Sequence, residues 1–295
     1  MKILVLGSNG QLGKCLQDRY LGSSKNIIFL SKNSLDITNF SKLREVFLNE
    51  MPNYIINASA YTLVDESEDF FNIAQEINYE AVESISKLAH EINSVLIHVS
   101  TDYVFDGFSS EPYKETAKTN PLTKYGLSKL NGERSILNSG CNSIIIRTAW
   151  VFSEHGNNFL KTMISLGKSK NELKIVNDQI GAPTYAQDLA STIVEIIDFI
   201  DKTKGFKNWG IYNFCGDTIC SWFDFASLIF KEAKNQNIKT PKELWAVNSS
   251  NFITKAQRPK YSVLTNNKIN NIFGIKPSNL ELGVALSINK IKSCE

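Results

Sequence analysis

Three glycines, Gly7, Gly10 and Gly13, follow directly on the first apolar segment of the chain and constrain its fold more than any other feature. The segment reads MKILVL, the turn reads GSNGQLG, and an amphipathic stretch over residues 11–21 comes next. Glycines so spaced let the backbone turn tightly, let a pyrophosphate approach the main-chain amides, and let the helix pack on the strand. The N-terminus of that helix favours an anion. The sequence therefore predicts a strand, a turn and a helix that bind a dinucleotide.

Short β-branched segments alternate with helical patterns through the first half of the chain. The pattern predicts strands at residues 3–6, 27–30, 54–57, 95–100 and 143–148 and helices at 41–49, 70–91 and 121–138. Asn120 and Pro121 are predicted to cap and begin the last of these helices. This alternation indicates an α/β fold, a Rossmann-type doubly wound parallel sheet. Ligands bind such sheets outside the carboxyl ends of the strands, where Ser100 to Asp102 and the glycine turn would converge.

The regular alternation loosens after Trp150. Helices are predicted at residues 156–167, 185–200 and 221–234, and strands at 173–176 and 211–214. We therefore expect residues 1–150 to form a dinucleotide-binding Rossmann domain. Residues 151–295 are expected to form a smaller C-terminal substrate-binding lobe, interleaved with the last strands of the sheet.

Composition excludes several classes of partner. The 295 residues carry 32 basic and 30 acidic side chains, so the net charge of +2 gives no basis for binding nucleic acid or a membrane surface. The apolar start is shorter than a secretory signal, and no segment is long enough to span a membrane. The odd number of scattered cysteines indicates a reduced, cytoplasmic protein without a zinc site: Cys15, Cys141, Cys215, Cys220 and Cys294. The dispersed histidines, His90, His98 and His155, are interpreted as core or surface residues rather than ligands or bases.

Tyr125 and Lys129 are four residues apart, so on a helix they lie on one face, just downstream of Thr101. An ammonium one turn from a phenol stabilises the phenolate and lowers the pKa of the phenol. Tyr125 could then act as a general acid, oriented by the Thr101 hydroxyl, which is a plausible arrangement for reducing a carbonyl. A tyrosine and a lysine at this spacing are more often a half-buried ring beside a solvated charge, so the spacing alone identifies no function.

In its glycine turn and in Thr101, Tyr125 and Lys129, the chain resembles the extended short-chain dehydrogenase/reductase superfamily and, within it, the dTDP-4-dehydrorhamnose reductases. The matching segments run in order along most of the chain: residues 57–65 (NASAYTLVD), 100–107 (STDYVFDG), 125–133 (YGLSKLNGE), 147–150 (RTAW), 157–159 (NNF), 178–184 (DQIGAPT) and 258–259 (RP). The resemblance implies reduction of the C4 ketone of dTDP-4-dehydro-L-rhamnose by NADPH or NADH. The product would be dTDP-L-rhamnose for cell-surface polysaccharide biosynthesis.

The resemblance also implies a role for each matching residue. Tyr125 would protonate the C4 oxygen, Lys129 would hold the cofactor ribose and lower the tyrosine pKa, and Thr101 would hydrogen-bond the carbonyl. The residues expected at the substrate are Thr101, Asp102, Tyr103, Trp150 and Arg258. The residues expected at the cofactor are Gly7, Asn9, Gly10, Gln11, Leu12, Gly13, Ser31, Asp36, Ile37, Ala58, Ser59, Ala60, Tyr125 and Lys129. Plainer roles are open for some of them: Trp150 as core, Arg258 as a surface turn, and Asn158 as a helix cap.

NADPH is the expected cofactor, with NADH permitted. The second strand ends in Leu30-Ser31-Lys32, where an NAD-binding fold usually carries an acid, and Ser31 and Lys32 would tolerate a 2'-phosphate. Some members of the family use a divalent metal at a dimer contact, so Mg²⁺ and a homodimer are permitted, but no residue cluster has metal-ligand spacing.

Two alternative functions are open at this point. The first is a related nucleotide-sugar 4-ketoreductase, epimerase or dehydratase, although dehydratases place Asp and Glu after the threonine and this chain has Asp102 and then Tyr103. The second is a cofactor-binding regulatory subunit of the methionine adenosyltransferase type, which need not retain the catalytic set.

Overall fold

The computed structural model describes residues 1–252 and 254–293, and its regular elements alternate as the sequence predicts. The strands, in chain order, are β1 (Lys2–Leu6), β2 (Asn26–Leu30), β3 (Tyr54–Asn57), β4 (Val95–Thr101), β5 (Ser143–Thr148), β6 (Val151–Phe152), β7 (Glu172–Val176), β8 (Ile180–Gly181), β9 (Thr184–Tyr185), β10 (Gly210–Asn213), β11 (Cys220–Ser221) and β12 (Glu243–Val247). The helices are α1 (Gln11–Tyr20), α2 (Phe40–Glu50), α3 (Phe71–Gln75), α4 (Ala81–Glu91), α5 (Lys124–Asn138), α6 (Phe159–Ser169), α7 (Ala186–Lys202), α8 (Trp222–Asn235), α9 (Asn267–Phe273) and α10 (Leu280–Ser293).

Six strands form a parallel sheet in the order β10-β5-β4-β3-β1-β2. The strand order reverses between β1 and β3, and a doubly wound sheet binds its ligand at such a point. Apolar clusters cover both faces of the sheet, one formed with α1 and α7 and the other with α2, α4 and α5. The predicted Rossmann-type sheet is therefore confirmed.

Elements from both sides of residue 150 contribute to this sheet. β10 extends it by pairing with β5, and α7 packs against α1 on one of its faces. A further apolar cluster gathers α6, α8 and α10 around Phe225. The short sheets formed by β7 with β12, and by β8 with β11, also belong to this part of the chain. The proposed division at residue 150 stays a prediction.

Helix α5 lies on β4 and β5 over a buried ion pair. Arg147 of β5 donates to the Glu133 carboxylate of α5 through Nε at 2.9 Å and Nη2 at 2.6 Å, and both side chains are at most 2% exposed. Ser100 of β4 also donates to that carboxylate. Two charges taken out of water need this degree of hydrogen bonding to offset their desolvation. The pair therefore fixes where α5 sits along the strands.

The helices predicted from residues 121 and 156 both begin three residues later, and the helix predicted over residues 70–91 is divided. The helix expected from residue 121 begins at Lys124, because Thr123 is its N-cap and accepts a hydrogen bond from the Gly126 amide at 3.0 Å. Asn120 instead donates its backbone amide to the Val104 carbonyl, which holds it in the preceding loop. The helix expected over residues 70–91 is divided into α3 and α4 by a π-helical turn over residues 76–80.

The π-helical turn occurs where α5 approaches most closely. A Cβ atom at Gly132 of α5 would lie 2.2 Å from the Asn78 carbonyl oxygen. The buried Asn78 side chain turns away from its helix to hydrogen-bond the Tyr61 amide and carbonyl and the Ser128 hydroxyl. A π-helix is rare and occurs mostly as a single turn within an α-helix, and here that turn contains the residue that contacts Gly132. None of the helices in the described part of the chain is both long and apolar enough to cross a membrane.

We expect removal of one partner of the buried ion pair to cost far more stability than removal of both. Arg147→Met leaves the Glu133 carboxylate buried without its partner, which should lower the free energy of unfolding by about 3–5 kcal/mol. The double variant Glu133→Leu/Arg147→Met removes both charges and should recover most of that loss. Urea unfolding of the three proteins measures the difference. Equal destabilisation by the single and the double variant would contradict this account.

Candidate active site

A cleft of about 430 Å³ lies at the carboxyl ends of β1, β3, β4 and β5. Residues that the sequence analysis singled out for different reasons line it together: Gly10, Gln11, Leu12, Ala58, Ser59, Ala60, Thr101, Asp102, Tyr103, Tyr125, Lys129 and Trp150. They come from segments that are far apart in the chain, and the parallel sheet brings their strand ends to one edge. The predicted catalytic residues and the predicted cofactor loop therefore share one opening.

The glycine turn is built for close packing. Gly7 has a φ of +78°, and a Cβ atom at Gly13 would lie 2.3 Å from the Gly7 carbonyl oxygen, so α1 can approach the turn only without that side chain. Gly10 is the N-cap of α1, and since it lacks a side chain the first amides of α1 border the cleft uncovered. Amides at a helix N-terminus bind anions such as phosphate. The turn thus fits the pyrophosphate of a dinucleotide.

A recess of about 310 Å³ adjoins the cleft on the β2 side. Its lining includes Lys32 and four of the remaining predicted cofactor residues, Gly7, Asn9, Asp36 and Ile37, and it shares Ala58, Ser59 and Ala60 with the cleft. The Asp36 carboxylate accepts hydrogen bonds from the amide and hydroxyl of Thr38, and the amide hydrogen bond is the main reason that its pKa is lowered. Lys32 lies near it, with Nζ 3.9 Å from Oδ2. The recess therefore offers one cation and one fixed carboxylate.

Two predicted cofactor residues, Gly13 and Ser31, line neither the cleft nor the recess. Gly13 is buried beneath the turn, where its contribution is the close packing of α1. Ser31 follows β2, and its backbone amide donates to the Ser34 hydroxyl at 2.8 Å, within a small turn. The sequence pattern could not separate residues that shape the turn from residues that line it.

Tyr125 is a buried phenol at the wall of the cleft. It is 8% exposed, and the Tyr103 ring packs against it edge to face with ring centroids 5.5 Å apart. Burial raises its pKa above the ordinary value, a hydrogen bond with Thr101 opposes that rise, and the neighbouring Asp102 adds to it. The phenol therefore holds its proton at neutral pH, which is the form that a proton donor needs.

The carboxyl group of Asp102 lies beside Thr101 and is almost fully buried. The Thr101 hydroxyl donates to Asp102 Oδ1 at 2.9 Å and accepts the Tyr103 amide at 3.2 Å. Burial raises the pKa of Asp102 to about 6, although hydrogen bonds from Thr101 and Ser262 act in the opposite direction. A polar floor of hydroxyl and carboxyl groups thus lies next to the Tyr125 phenol.

Lys129 is buried at the wall of the cleft, where it packs against β4. Its Nζ donates to the Val99 carbonyl at 2.8 Å and lies 3.4 Å from Nε2 of His98. Burial lowers its pKa to about 8, against the opposing effect of Glu133. Burial of the phenol dominates and raises the pKa of Tyr125 in this structure, and the lowering of that pKa by Lys129 stays a prediction.

Trp150 stands at the end of the cleft in a strained conformation. Its φ is +48°, in the left-handed region that costs a bulky residue energy. Its indole stacks on Trp222 with centroids 3.5 Å apart and planes 6° apart, and it covers Gly181, where a Cβ atom would lie 2.4 Å from the ring. The surrounding contacts thus hold this ring at the cleft. Sequence reasoning missed Trp222 and Gly181, because neither is near Trp150 in the chain.

An apolar groove of about 790 Å³ continues beyond the two tryptophans. Aromatic and aliphatic side chains line it, with Arg258 at one side: Phe159, Met163, Leu166, Leu173, Ile175, Trp222, Trp245 and Phe252. The Arg258 guanidinium donates to the Tyr103 hydroxyl at 3.2 Å and to the Asp65 carboxylate at 2.7 Å. Arg258 therefore contacts a residue of the cleft and also borders the groove.

Among the described residues, one group has potential metal ligands close together, formed by Asp18, Glu154 and His155 with ligand atoms within 4.8 Å of one another. A lysine and an amide already occupy its carboxylates. Lys290 Nζ lies 2.6 Å from Glu154 Oε1, and Gln187 donates to Asp18 at 2.7 Å and to Glu154 at 3.1 Å. An ammonium at that distance repels a cation, so the expectation of Mg²⁺ gains no support.

Asn158 has the capping role that the sequence left open, and the described cysteines form no disulfide. Asn158 caps α6 by accepting the Lys161 amide at 3.1 Å, and it donates to Gln11 of the glycine turn at 2.7 Å. Four cysteines are free thiols, Cys15, Cys141, Cys215 and Cys220. Cys294 lies outside the described residues.

Comparison with known proteins gives consistent matches over nearly the whole chain. Residues 1–293 match the family model described as the RmlD substrate binding domain. A dTDP-4-dehydrorhamnose reductase from Aggregatibacter actinomycetemcomitans is 42% identical over 279 residues, which cover 94% of this chain and 95% of that protein.

Two solved structures are similar throughout. One is a dTDP-4-dehydrorhamnose reductase from Clostridium acetobutylicum, with a TM-score of 0.91 and 36% identity over 99% of this chain and 100% of that one. The other is a dTDP-4-dehydrorhamnose reductase from Bacillus anthracis in complex with NADP, with a TM-score of 0.89 and 36% identity over 98% of this chain and 99% of that one.

The burial of Asp102 predicts a specific pH dependence of stability. Its pKa is about 6 in the folded protein and 3.8 in the unfolded chain, so the folded state holds the proton more tightly and stability falls as the pH rises through 6. Asp102→Asn removes this titration. We expect the free energy of unfolding of the variant, relative to the parent, to increase between pH 4 and pH 7 by up to about 3 kcal/mol. Urea unfolding at several pH values checks this, and a constant difference would refute it.

Proposed function

The chain belongs to the dTDP-4-dehydrorhamnose reductase family, and we propose that it reduces the C4 ketone of dTDP-4-dehydro-L-rhamnose to give dTDP-L-rhamnose for cell-surface polysaccharide. The observation that carries this proposal is the neutral Tyr125 phenol, which lies beside the Thr101 hydroxyl in the same cleft as the glycine turn. A carbonyl oxygen that gains charge during reduction needs a hydrogen-bond donor and a proton source at one point. Tyr125 supplies the proton, and the Thr101 hydroxyl supplies the hydrogen bond when it turns from Asp102 Oδ1 to the carbonyl oxygen.

NADPH is the cofactor that the recess supports best. The uncovered amides at the start of α1 would hold the pyrophosphate, and Lys32 would pair with a 2'-phosphate, since it stands at the recess with 79% of its side chain exposed. Lys129 would hold the ribose beside the nicotinamide. When bound, the nicotinamide would supply a hydride to carbon C4.

The substrate would lie between the cleft and the apolar groove. Thr101, Asp102 and Tyr103 line the cleft beside the phenol, and Trp150 would close one side of the sugar. The thymidine would enter the groove beyond Trp222, because a flat base gains most from stacking on aromatic rings. Arg258 borders that groove, and its unused N–H donors would bind the diphosphate.

The alternatives are not favoured. Elimination of water by a dehydratase needs an acid and a base after the threonine, and Tyr103 stands where the base would be. A regulatory subunit would have no use for a buried phenol held beside a hydroxyl at the cofactor turn, and Thr101, Tyr125 and Lys129 line one cleft here.

We expect Tyr125→Phe to lower turnover by about 10² to 10⁴ while the affinity for NADPH stays nearly unchanged, because only the proton donor is lost. The assay follows NADPH absorbance with dTDP-4-dehydro-L-rhamnose, with NMR of the product to identify the C4 stereochemistry. Tyr103→Phe is the matched control, since it removes a neighbouring hydroxyl and leaves the donor. An unaltered rate in Tyr125→Phe would exclude Tyr125 as the proton donor. A parent enzyme that is inactive on this ketone but active on another keto-sugar nucleotide would refute the substrate assignment.

We expect Lys32→Ala to raise the KM for NADPH about 5- to 20-fold and to leave the KM for NADH nearly unchanged, because only NADPH carries the 2'-phosphate. Steady-state kinetics with each cofactor measures the two constants. Lys42→Ala is a suitable control, since Lys42 pairs with Glu45 on the exposed side of α2. Parallel changes for both cofactors would exclude Lys32 from the choice between them.

A further inference from the structure

A row of three buried polar side chains lies beneath the cleft, on the α5 side of the sheet. Asn57 of β3 and His98 of β4 are neighbours in the sheet register, and both are fully buried. Asn57 Nδ2 lies 3.1 Å from His98 Nδ1, and His98 Nε2 lies 3.4 Å from Lys129 Nζ. The histidine therefore joins the end of β3 to the lysine of the candidate active site. The sequence analysis interpreted His98 as a core or surface residue, and the reductase roles described above do not use it.

The main chain determines which way the Asn57 amide points. Asn57 Oδ1 accepts the Ser59 backbone amide at 3.0 Å, so that oxygen must face Ser59 and the Nδ2 group must face His98. An amide NH₂ can only donate, and His98 Nδ1 must then accept. A neutral imidazole has one N–H and one acceptor nitrogen. The hydrogen of His98 therefore lies on Nε2, the nitrogen that faces Lys129.

An N–H group facing an ammonium is unfavourable, whereas an N–H group facing an amine can donate to its lone pair. Lys129 Nζ already donates to the Val99 carbonyl at 2.8 Å, which leaves a lone pair free to point at His98 when the nitrogen is an amine. We infer that His98, held in its Nε2–H form by Asn57, is a positioning residue that favours the neutral amine of Lys129. The inference goes beyond the proposed reductase function by assigning a role to a residue outside the cleft.

The charges around Lys129 are consistent with this assignment. Glu133, one turn further along α5, raises the pKa of Lys129. Both of its carboxylate oxygens, however, already accept hydrogen bonds from Arg147 of β5. An ion pair that is already neutral provides little compensation for a second buried cation. Burial is the largest cause that holds the pKa of His98 well below its ordinary value, so the imidazole is neutral. Burial of Lys129 acts in the same direction as the His98 N–H group.

The consequence is that Lys129 changes charge close to neutral pH instead of remaining a permanent cation. As Tyr125 gives up its proton, its oxygen becomes negative, and an ammonium stabilises that charge better than an amine does. Turnover should therefore fall as the pH rises through the pKa of Lys129. This decline of kcat at high pH is the alkaline limb of the pH profile. A residue that acts through Lys129 should change the pH at which the decline occurs.

The tautomer is tested directly by ¹H–¹⁵N NMR of the histidine rings. The chain has three histidines, so the spectrum is simple, and His98→Gln identifies the signals of His98. We expect a protonated Nε2 and an unprotonated Nδ1 throughout pH 6 to 9. A protonated Nδ1, or a doubly protonated ring at neutral pH, would overturn the inference. This measurement needs no substrate or turnover, so it can fail while the proposed reduction stands.

The kinetic test rests on the proposed reduction and uses the dependence of kcat on pH. His98→Leu removes the N–H group, so the Lys129 pKa should rise and the alkaline limb should move up by about one pH unit. His98→Gln can accept from Asn57 and donate to Lys129, so it should keep the limb near that of the parent. Ser94→Ala removes a buried hydroxyl just before β4, which donates to the Pro52 carbonyl at the opposite end of the strand from the cleft, and it too should leave the limb in place.

A merely structural role predicts a different result. Loss of packing would lower kcat at every pH in His98→Leu without moving the limb, and that outcome would overturn the inference. A limb that moves equally in His98→Gln and in His98→Leu would overturn it as well. If His98→Leu does not fold, the His98→Gln profile and the tautomer of the parent still decide the question.

Discussion

The position of α5 depends on the buried ion pair between Glu133 and Arg147. Both side chains are withdrawn from water, and each satisfies the other's hydrogen-bonding groups in a geometry that a shift of α5 along the strands would break. Because a buried charge without its partner is costly, the ion pair constrains the position of α5 along the strands. Lys129 and Tyr125 lie one and two turns before Glu133 on the same helix, so the ion pair also sets their position above the strand ends.

The same sheet face explains why two ionisable groups on one helix have pKa values that are shifted in opposite directions. Tyr125 meets a ring and a carboxyl group, and burial favours its neutral form by raising its pKa. Lys129 meets a carbonyl and an imidazole N–H, and burial favours its neutral form by lowering its pKa. Desolvation thus favours the uncharged form of both groups, which raises the pKa of the acid and lowers the pKa of the base. A site in which charge develops only during reaction benefits from this starting point.

The sequence was sufficient to predict the sheet, because buried parallel strands are short apolar runs with sharp ends: β3 and β5 begin and end where predicted. Helix starts were less certain, since Asn120 and Pro121 looked like a cap while the Thr123 hydroxyl is the group that caps α5. The stack of Trp150 on Trp222 and the contact of His98 with Lys129 could not be predicted, because each joins segments distant in sequence. Sequence spacing reveals neighbours on one helix or strand, whereas such contacts depend on how elements pack.

Arg258 shows how one side chain can serve both the fold and the site. Its guanidinium is bound to Asp65 and the Tyr103 hydroxyl, and the Ala256 amide also donates to Asp65, so residues 256–258 are anchored to the loop after β3. A guanidinium has five N–H donors, and these contacts use two of them. The remaining donors face in other directions because the group is rigid and planar. An anion in the groove can therefore bind Arg258 without displacing Asp65.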